Sequence, residues 1–231
     1  ETWLTLAKLQ EVVSAYQVGS PGLVETIIAR MIDAGLVERV TAADDRRKKL
    51  LVPTEALIEH DLDMLAALAA PCVVLGEHPA FAIARARDRE LQKAHRIFSV
   101  EAFGLAMQTL MKHPEMMLFF LRDSGYLVLI SMLQSALASP SGTLSTVAYQ
   151  DIANRFGVSR SHVRNLVEDA EQAGLMRGTD AGGAAVELLP LLMDKHDQYF
   201  ADCTVLVEQA FVQAYDRIRA GSMSAFELGP A

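Results

Sequence analysis

Apolar residues recur at helical spacing along most of the chain, and the clearest case is a pair of short helices within residues 151–175. The apolar positions of this pair are Ile152, Ala153, Phe156, Val163, Leu166, Val167, Ala170 and Ala173. Gly157 supplies a left-handed residue that ends the first helix, and the hydroxyl of Ser159 can cap the second. The pattern predicts a helix-turn-helix.

Polar residues occupy the start of the second helix, on the side away from its apolar positions. They are Ser159, Arg160, Ser161, His162, Arg164 and Asn165. At the start of a helix in the major groove, we expect the arginines, the histidine and the asparagine to face base edges or nearby phosphates. The two serines would contact backbone phosphate. The alternative interpretation is an ordinary helical hairpin with a solvated polar start.

The beginning of the chain repeats this succession and adds a hairpin. The predicted elements are a helix over residues 2–16, a helix from Pro21 up to Gly35, and strands over 36–40 and 50–52. Ser20 fits the N-cap of the second helix, with proline at the first helical position. Residues 41–49 form a polar, basic tip between the strands. Helix, turn, helix and hairpin together predict a winged helix-turn-helix.

The sequence around this hairpin resembles the wing of MarR-type transcriptional regulators. Residues 34–57 run A-G-L-V-E-R-V-T-A-A-D-D-R-R-K-K-L-L-V-P-T-E-A-L, whereas the family has a G-L-V/I-x-R strand, a D-x-R wing tip and an L-T-E run. The resemblance covers about residues 20–57. Ala56-Leu57 stands where the family usually has a glycine after T-E-x, and the preceding helix has Arg30 against Glu25 and Asp33.

The resemblance implies DNA contacts at the tip of the wing. By it, Arg47 is the wing arginine that enters the minor groove, and Asp45 helps to hold it. Arg46, Lys48 and Lys49 would contact phosphates. Ser20, at the start of the first recognition helix, is counted with these DNA-contacting residues.

An internal repeat relates the two regions. At an offset of 139 residues, the identical pairs are Ser20/Ser159, Val24/Val163, Ala34/Ala173, Gly35/Gly174 and Leu36/Leu175. Strands over 175–179 and 184–189, with Asp180–Gly183 as their turn, would give the second copy a neutral to acidic wing. We therefore predict a mainly α fold with two winged helix-turn-helix units and small β-hairpin wings, joined by a helical connector.

The predicted boundaries follow from this repeat. They are a first unit at 1–57, a connector at 58–123, a second unit at 124–190, a long helix at 191–220 and a loose tail at 221–231. In the first unit, no helix is evident before the helix pair. Within the connector and beyond, the predicted helices are 54–70, ended by Pro71, then 79–98, 100–112, 114–121, 125–137 and 191–219. The last would pack across both units or form a homodimer.

Two features of the connector leave alternatives open. Arg85, Arg89, Lys93 and Arg96 share one face of the predicted 79–98 helix, which is either a solvated face or a surface for phosphates or an acidic partner. The region from about residue 103 to 132 is rich in methionine and phenylalanine, which indicates either ordinary core packing or a pocket for a small-molecule effector.

Composition and charge narrow the class of protein. The 231 residues are 51% hydrophobic and carry a formal net charge of −8, which argues against non-specific coating of nucleic acid but leaves room for a local basic face.

Cys72 and Cys203 have no disulfide or metal spacing and are expected as apolar fillers in a reducing compartment. The charge-free stretch Ser124–Gln150 is strongly apolar only over Tyr126–Ala138, too short for a bilayer. No membrane span or signal peptide is expected, and the cytoplasm is the expected location.

No pattern of an enzyme is present. Nucleophile-elbow, Walker, dinucleotide-binding and H-E-x-x-H motifs are absent, and the six histidines lack metal-ligand spacing. We therefore expect no catalysis, no cofactor and no metal.

These observations predict a sequence-specific regulator that binds double-stranded DNA through tandem winged helices, with or without an effector. One chain would cover two unequal half-sites, whereas a homodimer would present four units. One alternative is an acidic winged-helix interaction module, such as a chromosome-condensin accessory subunit. Another is a plasmid-type replication initiator, which would normally be more basic.

Overall fold

Helices make up most of the structure, a computed structural model that describes residues 4–16, 19–179 and 185–221. The mainly α prediction is confirmed, and the described strands form two small antiparallel sheets. The chain divides into two compact units. Unit 1 holds the residues up to 100 and those from 207 onwards, and unit 2 holds residues 101–206.

Unit 1 begins with a short strand, a helix pair and a hairpin. Its elements are β1 (Leu4–Thr5), α1 (Leu6–Ala15), α2 (Pro21–Asp33), β2 (Val37–Thr41), β3 (Lys49–Pro53), α3 (Glu55–Leu75), α4 (Pro79–Arg85) and α5 (Arg89–Glu101). The sheet order is β1-β3-β2, and Leu51 of β3 lies between Leu4 and Arg39. The predicted cap is confirmed, because the Ser20 hydroxyl accepts a hydrogen bond from the Leu23 N–H at 3.2 Å.

Two apolar clusters hold unit 1 together. A small cluster under the hairpin consists of Val24, Ile28, Val37 and Leu51. A larger one joins α3, α4 and α5 to the last part of the C-terminal helix, and its bulkiest members are Leu65, Phe81, Leu91 and Phe211. Helix α1 contributes no fully buried residue to either cluster.

Unit 2 repeats the succession of strand, helix pair and hairpin after three further helices. Its elements are α6 (Phe103–Met111), α7 (Pro114–Phe120), α8 (Gly125–Leu137), β4 (Leu144–Ser145), α9 (Tyr149–Phe156), α10 (Arg160–Gln172), β5 (Met176–Gly178), β6 (Val186–Leu188) and the part of α11 (Pro190–Arg219) that precedes residue 207. The sheet order is β4-β6-β5. The predicted helices at 125–137 and 191–219 are confirmed, and the predicted turn at 180–183 lies outside the described residues.

One large cluster forms the core of unit 2. It joins α7, α8, α9, α10, both strands of the hairpin and the start of α11, and its largest fully buried side chains are Met116, Phe119, Leu129, Met132, Ile152, Leu166, Leu175, Leu188 and Leu192. This cluster is much larger than the one under the unit 1 hairpin. The difference arises because α8 covers the helix pair in unit 2.

The predicted end of a helix at Pro71 is wrong, because α3 continues to Leu75. Proline removes one backbone donor from a helix, which costs a hydrogen bond and strains the preceding turn. Pro71 itself is exposed, while Ala69 and Cys72 on either side of it are buried in the α3–α4 cluster. Packing of this buried side therefore outweighs the local cost of the proline.

The predicted single helix over 79–98 is also wrong, because residues 86–88 divide it into α4 and α5. Arg87 takes a left-handed conformation, with φ of 61°, which ends the first segment. The Asp88 carboxylate accepts a hydrogen bond from the Leu91 N–H at 2.8 Å and caps the second segment. Arg85 is thus separated from the other three cations of the predicted stripe.

Gly125 opens α8 at a point where no side chain fits. An added Cβ would overlap the carbonyl oxygen of Phe119 and lie 2.9 Å from the Cβ of Arg122. Because backbone has to shift to relieve this overlap, we expect Gly125→Ala to lower the free energy of unfolding by about 2 kcal/mol. Urea denaturation measures the change. Gly104→Ala in α6, where nothing lies within 4 Å, is the matched control, and equal stability of the two variants would contradict the close approach.

Candidate nucleic-acid interface

The turn between α9 and α10 has the geometry that the sequence predicted. Gly157 has φ of 68°, and the Ser159 hydroxyl accepts a hydrogen bond from the His162 N–H at 3.0 Å. The hydroxyls of Ser159 and Ser161 lie 2.9 Å apart. The left-handed turn and the serine cap are therefore confirmed, and they fix where α10 begins.

Helix α10 separates an apolar side from a polar, donor-rich one. Its apolar side is fully buried and consists of Val163, Leu166, Val167 and Ala170. Arg160, Arg164 and Asn165 are exposed. The Arg164 guanidinium lies 3.4 Å from Glu168 one turn on, and such a solvent-exposed pair is weak enough for Arg164 to exchange it for another anion.

His162 lies at the edge of these two sides and is half-buried. Its Nε2 lies 2.9 Å from the backbone carbonyl oxygen of Asp123, in the turn before α8. Near the other end of α10, Arg122 of the same turn forms an ion pair with Asp169. His162 thus fastens α10 to the neighbouring turn, and its contact with DNA stays a prediction. No sequence pattern pointed to this bond, because its partner is a backbone atom 39 residues away.

The tip of the unit 1 hairpin is closed by hydrogen bonds that leave its cations exposed. Asp45 accepts bonds from Arg47 and Lys48, since its carboxylate binds the Arg47 N–H at 2.8 Å and its carbonyl oxygen binds the Lys48 N–H at 3.0 Å. Arg46, Arg47 and Lys48 form no ion pair with another described residue. Lys49 differs, because its ammonium donates to the Thr41 hydroxyl at 2.6 Å.

Helix α2 presents a different surface from α10. Ser20 is exposed at its start, and the exposed side chains in the turns that follow are apolar, acidic or neutral polar, with Arg30 as the basic residue of the last turn. Leu23 is 50% exposed and Ile27 is 47% exposed, while Glu25 and Thr26 lie between them. None of these offers the charged donors that Arg160 and Arg164 offer in unit 2.

The cations of α5 are engaged within unit 1. Arg89 pairs with Glu55 and Glu59 of α3, Arg96 pairs with Asp61, and Lys93 binds Glu90 on its own helix. A hydrogen bond from Arg89 lowers the pKa of Glu55. The sequence left two interpretations of this face open, a solvated face or a surface that binds phosphates or an acidic partner. The ion pairs favour neither, because carboxylates of α3 already neutralise Arg89 and Arg96.

Asp61 shows how strongly this charge network is organised. Burial alone would raise the pKa of its carboxyl, but hydrogen bonds from Arg96 and Gln92 outweigh that effect and lower the pKa. The Gln92 amide donates to the Asp61 carboxylate at 2.8 Å and to the carbonyl oxygen of Ile58 at 3.2 Å. The face formed by α3 and α5 is therefore a structural interface.

The methionine-rich region is only partly core, since its Met111 is 65% exposed. Met116 and Met132 are fully buried with Phe119 in the unit 2 cluster. A cavity of about 360 Å³ does lie in unit 2, between α8 and α9, and its lining consists of Ser131, Gln134, Ser135, Val147, Asp151, Ile152 and Arg155. The effector stays a prediction.

Metal ligands and membrane-spanning helices are not found within the described part of the chain. No group of three or more His, Cys, Asp or Glu residues there is placed to hold a metal ion, and both cysteines are free thiols. No single described helix is long and apolar enough to cross a membrane. The pair α7 and α8 passes that test only when taken together, and it is bent by 108°.

Comparisons with known proteins identify no relative of this chain. No family model, no curated protein and no solved structure matches it. The MarR-type resemblance therefore rests on the sequence of about residues 20–57 alone.

Proposed function

We propose that the chain is a sequence-specific, DNA-binding transcriptional regulator and that each unit contains a winged helix-turn-helix. The succession of elements supports this proposal, since both units have a short strand, a helix pair and a hairpin. In both sheets the second hairpin strand pairs with the short strand that comes earlier in the same unit. The hairpins would be the wings.

The exposed start of α10 carries the proposal. Arg160, Arg164 and Asn165 project from the first two turns of the second helix of a tight helix pair. A recognition helix contacts base edges with residues of this part, arginine reads guanine and asparagine reads adenine. The Ser159 and Ser161 hydroxyls lie beside them and would bind backbone phosphate.

The roles of the two units would differ. Unit 2 would read bases through α10, whereas unit 1 would grip phosphates or the minor groove through Arg46, Arg47, Lys48 and Lys49. Ser20 would contact phosphate at the start of α2. His162 would position α10 through its bond to Asp123.

Titration of duplex DNA with the purified chain tests the proposal. Labelled duplexes tiling the region upstream of its own gene would be followed by fluorescence anisotropy at about 50 mM salt, where phosphate contacts are strongest. We expect one duplex to bind at least about a hundredfold more tightly than a shuffled duplex of the same composition. Equal, weak binding to all duplexes would contradict sequence-specific recognition.

The basic wing tip should act on salt dependence more than on sequence preference. Replacing Arg46, Arg47 and Lys48 together by alanine removes up to three phosphate contacts. The slope of log K against log salt should then become shallower by about 0.9 for each phosphate that is no longer neutralised, with the preferred sequence unchanged. Lys93→Ala, which removes an exposed lysine paired with Glu90 on α5, is the control. An unchanged slope in the triple variant would remove the wing from the interface.

A second candidate function is an acidic winged-helix interaction module. The observation that favours it is the apolar outer surface of α2, together with the net charge of −8. Absence of DNA binding by the wild-type chain at low salt would make this function the leading one. The exposed Arg160 and Arg164 favour DNA.

Dimerisation and location remain further proposals. On α11, the large exposed apolar residues are Leu191, Phe200 and Val205, and at helical spacing Phe200 lies on the opposite side from the other two. A homodimer through α11 would therefore lack a continuous apolar stripe. A cytoplasmic location is proposed from the expected DNA target.

A further inference from the structure

A cavity of about 360 Å³ lies between α8 and α9 in unit 2, beside the first helix of the proposed helix-turn-helix. Small-molecule sites in proteins begin at about this size. Ser131 and Ile152 are 6% and 1% exposed, so they form the floor of the cavity. Gln134, Asp151 and Arg155 line the same cavity and are exposed, so they lie at its rim. The cavity thus has a charged entrance above a floor that is part hydroxyl and part apolar.

The two charged side chains at the rim do not pair with each other, although they lie one helical turn apart. Asp151 is in the first turn of α9 and Arg155 in the last, in the order that favours an ion pair along a helix. Neither forms an ion pair with another described residue, and the Arg155 guanidinium lies 5.2 Å from the centre of the Phe156 ring. By contrast, carboxylates bind Arg122 and Arg177 of the same unit. Asp151 and Arg155 therefore present opposite charges to one cavity.

The floor of the cavity carries a buried hydroxyl that lacks a partner. Ser131 forms no side-chain hydrogen bond within the described part of the chain. Other helical hydroxyls, such as those of Ser99 and Thr204, donate to the carbonyl oxygen one turn back. Ser135, which also lines the cavity, accepts a hydrogen bond from the Thr146 N–H at 3.0 Å. Because a buried hydroxyl normally has a partner, Ser131 is the group that a bound molecule would satisfy.

We propose that this cavity binds a free α-amino acid with a short, hydroxylated side chain, such as threonine. The ammonium of the ligand would bind the Asp151 carboxylate, and its carboxylate would bind the Arg155 guanidinium, through charge-assisted hydrogen bonds. Its side chain would then point to the floor. There its hydroxyl would bind Ser131, and its methyl group would pack against Ile152 and Val147.

The charges of the rim favour a zwitterion over other small polar molecules. A simple anion would bind Arg155 but would be repelled by the Asp151 carboxylate, and a simple cation would be repelled by Arg155. A sugar would leave both side chains without an opposite charge. None of the described lining residues is aromatic, so the cavity offers no surface on which a nucleobase would stack.

Isothermal titration calorimetry of the full chain with L-threonine, without DNA, tests this site. We expect a dissociation constant below about 1 mM. L-Valine has the same shape without the hydroxyl, and it should bind at least about fivefold more weakly, because it leaves the Ser131 hydroxyl unsatisfied. β-Hydroxybutyrate lacks only the ammonium, and it should bind at least about tenfold more weakly, because the Asp151 carboxylate then has no cation to bind.

Substitutions in the cavity assign a role to each side chain. Asp151→Asn and Arg155→Gln should each weaken binding of L-threonine at least about tenfold. The matched controls are Asp194→Asn and Arg177→Gln, at exposed residues of unit 2 outside the cavity, and they should change it less than about twofold. Ser131→Ala should bring the affinities for L-threonine and L-valine to within about twofold of each other. A circular dichroism spectrum equal to that of the wild type is expected for all variants and checks their folding.

Four outcomes would overturn the proposal. They are absence of L-threonine binding at millimolar concentration, equal affinity for L-valine, binding that is unchanged in both Asp151→Asn and Arg155→Gln, and tighter binding of glucose than of L-threonine. The last would assign the cavity to a sugar. Because the titration contains no DNA and the variants keep Arg160 and Arg164, failure of this site is distinguishable from failure of DNA binding.

Discussion

Replacing Arg160 and Arg164 together by alanine is expected to lower the affinity for the preferred DNA duplex at least about thirtyfold. A bidentate contact from an arginine to guanine contributes about 1–3 kcal/mol of discrimination, so removing two such contacts corresponds to about 2–6 kcal/mol. Both side chains are exposed at the start of α10, and neither belongs to the core of unit 2. The loss of affinity should therefore occur without a loss of stability.

Arg177→Ala is the matched control for this prediction. Arg177 is an exposed arginine of the same unit, and it pairs with Glu187 across the β5–β6 hairpin. Its removal changes the net charge by one without touching α10. A loss of affinity in Arg177→Ala equal to that in the double variant would indicate an effect of total charge and would contradict base reading by α10.

The second large effect is a loss of stability in mild acid that depends on His95. This side chain is 5% exposed, its ring lies 4.8 Å from that of Phe211, and its Nε2 has no partner among the described residues. Burial, with a smaller effect of the Arg96 charge, lowers the pKa of His95 to about 4 from an ordinary 6.5, although Asp61 acts in the opposite direction.

The direction of the pH effect follows from this lowered pKa. Above pH 6.5 the histidine is neutral in both the folded and the unfolded chain, and its contribution to stability is fully present. As the pH falls from 6.5 towards 4, only the unfolded chain takes up the proton, so stability is lost. The total is about 3 kcal/mol, of which about 2 kcal/mol is lost by about pH 5.

Urea denaturation of the wild type and His95→Met at about pH 7.5 and about pH 5 checks this prediction. The loss of stability between the two pH values should be about 2 kcal/mol smaller in the variant.

Ser99 keeps a hydrogen bond in the variant, because its hydroxyl also donates to the backbone carbonyl oxygen of residue 95 at 2.8 Å. Burial also lowers the pKa of His196, so a smaller slope should remain. Identical pH dependence of both proteins would contradict a neutral, buried His95. His60→Gln, at an exposed histidine of α3, is the control.

Local signals in the sequence predicted the geometry of the turn between α9 and α10. Gly157 and Ser159 act through the backbone of their own turn, so the start of α10 can be placed without any tertiary contact. The start of α2 could be placed in the same way from its cap at Ser20, and α8 could be placed from its own apolar residues. The two-residue strands β1 and β4 were missed, because so short a segment has no periodicity of its own.

Tertiary contacts decided the features that the sequence could not show. Helix α3 passes through Pro71 because neighbouring residues pack in a core that joins distant segments. The side of α10 that carries His162 meets a backbone carbonyl 39 residues away, and Arg89 meets carboxylates of another helix. Periodicity placed Ile27 with Leu166, but only the presence of α8 determines that one is buried and the other exposed.

Sequence selection from a random duplex pool tests the central claim, that α10 reads DNA bases, most directly. The wild-type chain and the Arg160→Ala/Arg164→Ala variant would each be taken through the same rounds of selection and sequencing. We predict that the wild type enriches one motif containing guanine and that the variant enriches none. No enrichment by the wild type, or the same motif enriched by both proteins, would contradict the claim.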